Sequence, residues 1–138
     1  MPPSDLPLGQ PITTRTCTLT YDSIVRGVFL DGAEVAYEDA VENVAATARL
    51  TGGRRVPVLV DLRKCRSQST EARAFLAGPE ALAVTLALAM VMDNPLSRML
   101  GNFFMGFNRP PIPIRLFTNV TEAEAWLRTF LPAAPHGG

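Results

Sequence analysis

The sequence predicts an α/β fold, a mostly parallel sheet with an N-terminal antiparallel hairpin, in the order β-β-α-β-α-β-α-β-α. Three observations carry that reading. The run Val56 to Leu62 (VPVLVDL) is apolar at nearly every position, as a central strand covered on both faces must be. Single apolar runs alternate with segments of helical period, a pattern that requires parallel pairing through right-handed crossovers. The threonine-rich stretch Thr14 to Tyr21 alternates residue by residue, and a second apolar run, Ile24 to Leu30, follows it closely enough to close a hairpin.

Each element has its own signal. In Thr14 to Tyr21 the threonines Thr14, Thr16, Thr18 and Thr20 fall on one face, and Cys17, Leu19 and Tyr21 on the other, as in a half-buried strand. Asp22-Ser23 turns the chain and Asp31-Gly32 ends the second strand. A helix over Tyr37 to Thr51 is predicted from Val41, Val44, Ala45 and Ala48, an apolar stripe that stops at Gly52-Gly53. After the central strand comes a basic loop, Arg63 to Arg66, and then a helix start rich in hydroxyls: Ser67, Ser69 and Thr70. That second helix spans about Thr70 to Ala77, capped by Ser69 or Thr70, with Ala72, Phe75 and Leu76 inward. Gly78-Pro79 breaks it. Ala81 to Met92 favours helix by propensity, yet Val84 to Met92 reads as a strand, because Asp93-Asn94-Pro95 starts a new helix directly behind it. The third helix carries Leu96, Met99, Leu100, Phe103, Phe104 and Phe107 at helical steps. A proline-rich connector (Arg109 to Pro113), a short strand (Ile114 to Phe117) and a last helix (Thr121 to Leu131) complete the order. Thr121 and Glu124 read as a capping box for the last helix, and Ala123, Trp126, Leu127, Phe130 and Leu131 as its buried stripe.

A chain of 138 residues suits one domain, expected over residues 13–131, between a Pro-rich lead-in (1–12) and a loose tail (132–138). Lys+Arg and Asp+Glu balance at 13 each, so no overall field draws the protein to nucleic acid, and no nucleic-acid partner is expected. The longest apolar run falls short of the roughly 20 residues that span a bilayer, so the chain is not expected to be transmembrane. The opening residues lack the basic start and apolar run of a secretory signal, which gives cytoplasmic as the expected location. Cys17 and Cys65 match no zinc or redox spacing and are expected as free thiols. The single histidine, His136, falls in the tail, away from the folded domain. No glycine-rich phosphate loop, Ser/His/Asp or Cys/His set, or metal cluster can be assembled from the rest. The sequence is therefore read as non-enzymatic, with no catalytic residue, metal or cofactor.

The motifs VLVDLRKC, STEARAF, LAMVMDNPLSRMLGNFF, IPIRLFTN and EAEAWL resemble the SpoIIAA-like fold, which houses the STAS domains of anti-sigma-factor antagonists and the lipid-binding SEC14-like domains. The resemblance runs from Thr14 to Leu131 and is nearest to small uncharacterised bacterial proteins of STAS/SEC14-like type. It implies a regulatory or protein-interaction module that docks a partner at the loop and helix start after the third strand. In anti-sigma-factor antagonists a serine at that helix start is phosphorylated, which breaks partner binding. The matching positions are Ser67, Ser69 and Thr70, although Ser69-Thr70-Glu71-Ala72 stands where an Asp-Ser-Ser-Gly-type start is usual. Arg63, Lys64, Arg66 and Arg73 form the densest basic cluster; they read either as a solvated loop or as an anion- or partner-binding site. The SEC14-like side implies an alternative, a carrier of a small apolar or lipid ligand. Leu96, Leu100, Phe103, Phe104 and Phe107 would then form an apolar pocket or a homodimer face.

Overall fold

In the computed structural model, which describes residues 10–92 and 111–132, three strands form an antiparallel meander at one side of the sheet. They are Ile12–Thr13 (β1), Cys17–Tyr21 (β2) and Val25–Phe29 (β3). Val56–Asp61 (β5), Thr85–Val91 (β7) and Ile114–Phe117 (β8) then join β3 in parallel, giving a six-stranded sheet of order β1-β2-β3-β5-β7-β8. A separate two-stranded parallel sheet pairs Ala33–Val35 (β4) with Cys65–Gln68 (β6). The helices are Tyr37–Thr51 (α1), Thr70–Leu76 (α2), Pro79–Leu82 (α3) and Val120–Arg128 (α4). The mostly parallel α/β architecture and its N-terminal hairpin are as the sequence predicts. The predicted third helix, with Leu96, Leu100, Phe103, Phe104 and Phe107, lies outside the described residues, as do most of the lead-in and the tail.

The central strand β5 separates two cores. Val58 and Leu62 join one, with β2, β3, α1 and α2; Leu59 joins the other, beneath α4. On the α4 side, Ala87 and Ala89 of β7 are fully buried against Ala123 and Leu127. These small residues let the helix lie close to the strand. The alanines that favour helix by propensity thus serve a strand, because burial between two layers outweighs an intrinsic preference of a few tenths of a kcal/mol.

Several boundaries differ from the sequence reading, each for a local reason. Thr14 to Tyr21 is not one strand. Ile12, expected in the lead-in, pairs with Leu19, and the chain reverses through Thr14 to Thr16. The Thr14 hydroxyl accepts from the Cys17 N–H at 3.1 Å and donates to Asn43 Oδ1, while Asn43 Nδ2 donates to Thr16 Oγ1 at 3.1 Å. Thr14 and Thr16 are consequently buried rather than set on an open face with Thr18 and Thr20.

Helix α1 buries Asp39, Ala40, Asn43, Ala46, Thr47, Leu50 and Thr51, whereas Val41, Val44 and Ala48 are half-buried and Ala45 exposed. The inner face is rotated from the predicted stripe because its polar residues all find partners. Asp39 receives a bidentate Arg15 and reaches back to the Ala36 N–H; the Thr47 and Thr51 hydroxyls donate to Asn43 O and Thr47 O. The helix ends on Gly52 at φ +67°, the left-handed conformation that favours glycine.

Pro79 starts α3 rather than merely breaking α2. The cap of α4 is Asn119, whose Oδ1 accepts from the Glu122 N–H at 2.8 Å, so Thr121 and Glu124 form no capping box. Glu124 is engaged elsewhere: Arg26 of β3 donates to it through Nε at 2.7 Å and Nη2 at 3.0 Å. These bonds hold the Glu124 carboxyl below the usual carboxylate range. This pair ties α4 to the antiparallel half of the sheet. Glu124→Ala should cost about 2 kcal/mol, as the loss of hydrogen bonds to a charged group does. Arg128→Ala, which removes only the solvent-exposed partner of Glu124, should cost under about 0.5 kcal/mol. Urea midpoints of the two variants check the contrast.

Candidate functional site

The carboxyl end of β5 places Asp61 at the rim of the sheet. From there the chain turns through Arg63 and Lys64, runs out along β6 and enters α2. The expected basic loop is half strand: Cys65 and Arg66 belong to β6, and so does Ser67, which is not at a helix start. Parallel pairing with β4 explains this, and neither short segment carries enough apolar pattern to announce a strand.

The three hydroxyls have different positions. Ser67 is half-buried in the strand. Ser69 is the cap of α2: its Oγ accepts from the Ala72 N–H at 3.0 Å, and its own N–H donates to Val35 O at 2.9 Å. Thr70 is exposed, and its hydroxyl accepts from Arg73 at 3.4 Å.

The four basic residues do not converge on one point. Arg63 clamps Asp61 through Nε at 2.9 Å, Nη2 at 2.7 Å and its backbone N–H at 3.1 Å. Arg73 donates to the Gln68 carbonyl at 2.9 Å. Lys64 is exposed, and Arg66 is 74% exposed, with a loose 3.9 Å ion pair to Glu34, itself 66% exposed, as its one ion pair among the described residues. Burial pushes the Asp61 carboxyl up, but the Arg63 side chain and N–H, with the charges of Arg63 and Lys64, hold it below the usual range. Asp61 is thus ionised and occupied as an anchor for the turn.

Ser67, Gln68 and Ser69 line an open groove of about 840 Å³ whose other walls include Arg15, Asp31 and Glu34. The sequence reading missed Arg15. Its guanidinium spans Asp39 on α1 and the Glu34 carbonyl on β4 at 2.9 Å, pairings of high sequence separation that no local pattern reveals.

On the inner side of β6 lies a second space, also missed. It is an apolar cavity of about 110 Å³ between the sheet and α1, α2 and α3, walled by Val44, Val58, Val60, Leu76, Leu88 and Met90. Gln68 belongs to both linings. Its Oε1 is buried and accepts no hydrogen bond among the described residues, a state that costs about 1–3 kcal/mol.

Both cysteines are buried free thiols. Burial pushes Cys17 up to about 12 and Cys65 up to about 11, so both are protonated at neutral pH. Among the described residues no His, Cys, Asp and Glu gather as a metal-binding group, and no helix is long and apolar enough to cross a membrane.

A family model, the domain of unknown function DUF7793, matches residues 18–131. The chain belongs to this family. No match to it is found among curated proteins. Among solved structures, this DUF7793 domain is similar to an uncharacterized protein of the DUF3478 family with a SpoIIAA-like fold, from Shewanella loihica PV-4. The identity is 14% over 86% of this chain and 90% of that one, with a TM-score of 0.53. That likeness shows the fold, a SpoIIAA-like one. A protein with unknown function from Arthrobacter sp. FB24 is 29% identical over 86% of this chain and 97% of its own, but superposes with a TM-score of only 0.30 and carries no structural argument.

Two predictions follow from the state of these groups. The Asp61 carboxyl is lower in the folded than in the unfolded chain, so its contribution to stability is present above about pH 4 and lost as pH falls through its folded value. The stability gap between the wild type and Asp61→Asn should therefore narrow between about pH 5 and pH 2, read from urea midpoints. A gap independent of pH would show that the Arg63 clamp does not act on the charge. The thiols should resist a disulfide reagent at pH 8 in the folded protein and react fully once urea unfolds it; fast reaction of the native protein would contradict their burial.

Proposed function

We propose that this DUF7793 chain is a non-enzymatic interaction module, and that a protein partner docks on the outer surface of β4, β6 and the start of α2. The observation that carries this reading is the groove beside the β4–β6 pair. It is open, polar and walled by charges of both signs, Arg15 against Asp31 and Glu34. Among the described residues the two strands pair with no further strand, so their outer edges offer a partner segment peptide groups other than the Glu34 and Gln68 carbonyls, which Arg15 and Arg73 hold. Arg66 adds a guanidinium held by little: an exposed ion pair is worth at most about 1 kcal/mol, so a partner carboxylate can displace Glu34. The SpoIIAA-like fold supports this placement by resemblance.

The groups that catalysis would need point the same way. Asp61 is committed to Arg63, and both thiols are protonated. Regulation by phosphate, if the partner surface carries it, falls on Thr70, the exposed hydroxyl of the three, where Arg73 would meet the new charge. The apolar cavity beneath α1 and α2 favours a second reading, binding of a small apolar ligand.

The test is affinity capture from the source cell with the wild type, Arg66→Glu and Glu34→Arg, quantified by mass spectrometry. A partner enriched by the wild type should fall at least about tenfold with either charge reversal, an effect of about 1.4 kcal/mol. Enrichment of a second copy of this chain, with the same dependence, would make the partner the homodimer mate. If no captured protein depends on Arg66 or Glu34, the proposed surface is wrong.

A further inference from the structure

The six-stranded sheet ends on β8, which pairs with β7 on one side and, among the described residues, with no strand on the other. The Pro113 and Phe117 carbonyls accept from the Leu88 and Met92 N–H groups at 2.9 Å and 3.0 Å. Alternation along the strand therefore turns the peptide groups of Ile114 and Leu116 outward, where no described residue bonds to them. The opposite edge, β1, is only two residues long.

The side chains of β8 restrict what can pair there. Ile114 and Leu116 are half-buried on the face that carries α1 and α2; exposed Arg115 and buried Phe117 lie on the face of α4. The Arg115 guanidinium sits 5.3 Å from the Phe117 ring centroid. Arg115 is the one charge on the strand, and a charge on an edge commonly guards it against pairing.

That guard is selective toward a second copy of the same strand. Two antiparallel copies keep their faces in line only when residues of the same face stand opposite each other. With Arg115 opposite Arg115, like charges meet, which is destabilising. One step along, Leu116 stands opposite Leu116 and Arg115 opposite Phe117. The outward groups of the two Leu116 residues then exchange both hydrogen bonds, and each guanidinium neighbours a ring instead of a cation. The edge is thus complementary to itself, as a twofold interface requires. The chain has no formal net charge, so two copies do not repel.

We propose that β8 is a homodimer edge, where two copies pair Ile114–Phe117 antiparallel about a twofold axis at Leu116 and join their sheets. This surface is separate from the groove beside β4 and β6, so Arg66→Glu and Glu34→Arg should leave the dimer intact.

Sedimentation equilibrium of the full chain, up to about 1 mM, should show a monomer–dimer equilibrium. Leu116→Pro removes an outward N–H and spares the β7 ladder, a change that edge strands tolerate; it should weaken the dimer at least about tenfold. Arg115→Glu leaves the backbone alone and serves if the proline variant does not melt cooperatively. It should weaken the dimer at least about fivefold, since two cation–ring contacts are lost. Cross-linking in oxidised glutathione reads the register, and the buried native thiols do not compete. Leu116→Cys should cross-link, because opposed Cα atoms of a hydrogen-bonded pair lie about 5.5 Å apart. Arg115→Cys should cross-link far more slowly, its two copies standing diagonally at about 7–8 Å. The inference is overturned if the chain is monomeric throughout, its edge left to a strand from another protein. It is equally overturned if either folded variant dimerises as tightly as the wild type, or if Arg115→Cys cross-links faster than Leu116→Cys.

Discussion

The double burial of β5 is the constraint on which the rest of the molecule depends. Val58 and Leu62 must be covered on one side and Leu59 on the other, so helices are required on both faces of the sheet. Parallel neighbours β3 and β7 follow, because the crossovers that deliver those helices also reverse the chain direction between strands. The same constraint sets the site. A strand buried along its length can expose polar groups only at its end, and there Asp61 accepts Arg63 and sends the chain out into β6.

Helix α1 meets the sheet through an inner face that is partly polar. Asp39, Asn43, Thr47 and Thr51 could not be buried without partners, and each has one: Arg15, the Thr14–Thr16 turn, or a carbonyl one helical turn back. These bonds hold α1 to the β1–β2 reversal and fix where the helix sits over the sheet. Asn43 and Thr47 of this same face also border the apolar cavity.

The basic cluster shows why density in sequence is not convergence in space. Arg63 and Arg73 lie ten positions apart and each serves the local backbone, one holding the β5 turn and the other the β6–α2 junction. Arg66 sits on the strand between them and faces outward with Glu34. The open groove beside β4 and β6 is lined by none of the four but by residues from three separate segments, among them Arg15, Asp31 with Glu34, and Ser67 with Ser69.

By itself the sequence determined the α/β class, the mostly parallel pairing of the sheet and its N-terminal hairpin. Period-two and helical patterns are local, and the apolar run of β5 announces burial on both faces without reference to any other segment. It also narrowed the cap of α2 to Ser69 or Thr70, of which the structure uses Ser69. Only the tertiary structure decided which groups are free. The β4–β6 pair, the Arg15–Asp39 attachment, the transfer of Glu124 from a helix cap to Arg26, and the isolation of Gln68 Oε1 all join residues far apart in the chain. Their energies come from partners and from exclusion of water, and neither is written into the spacing of residues along one segment.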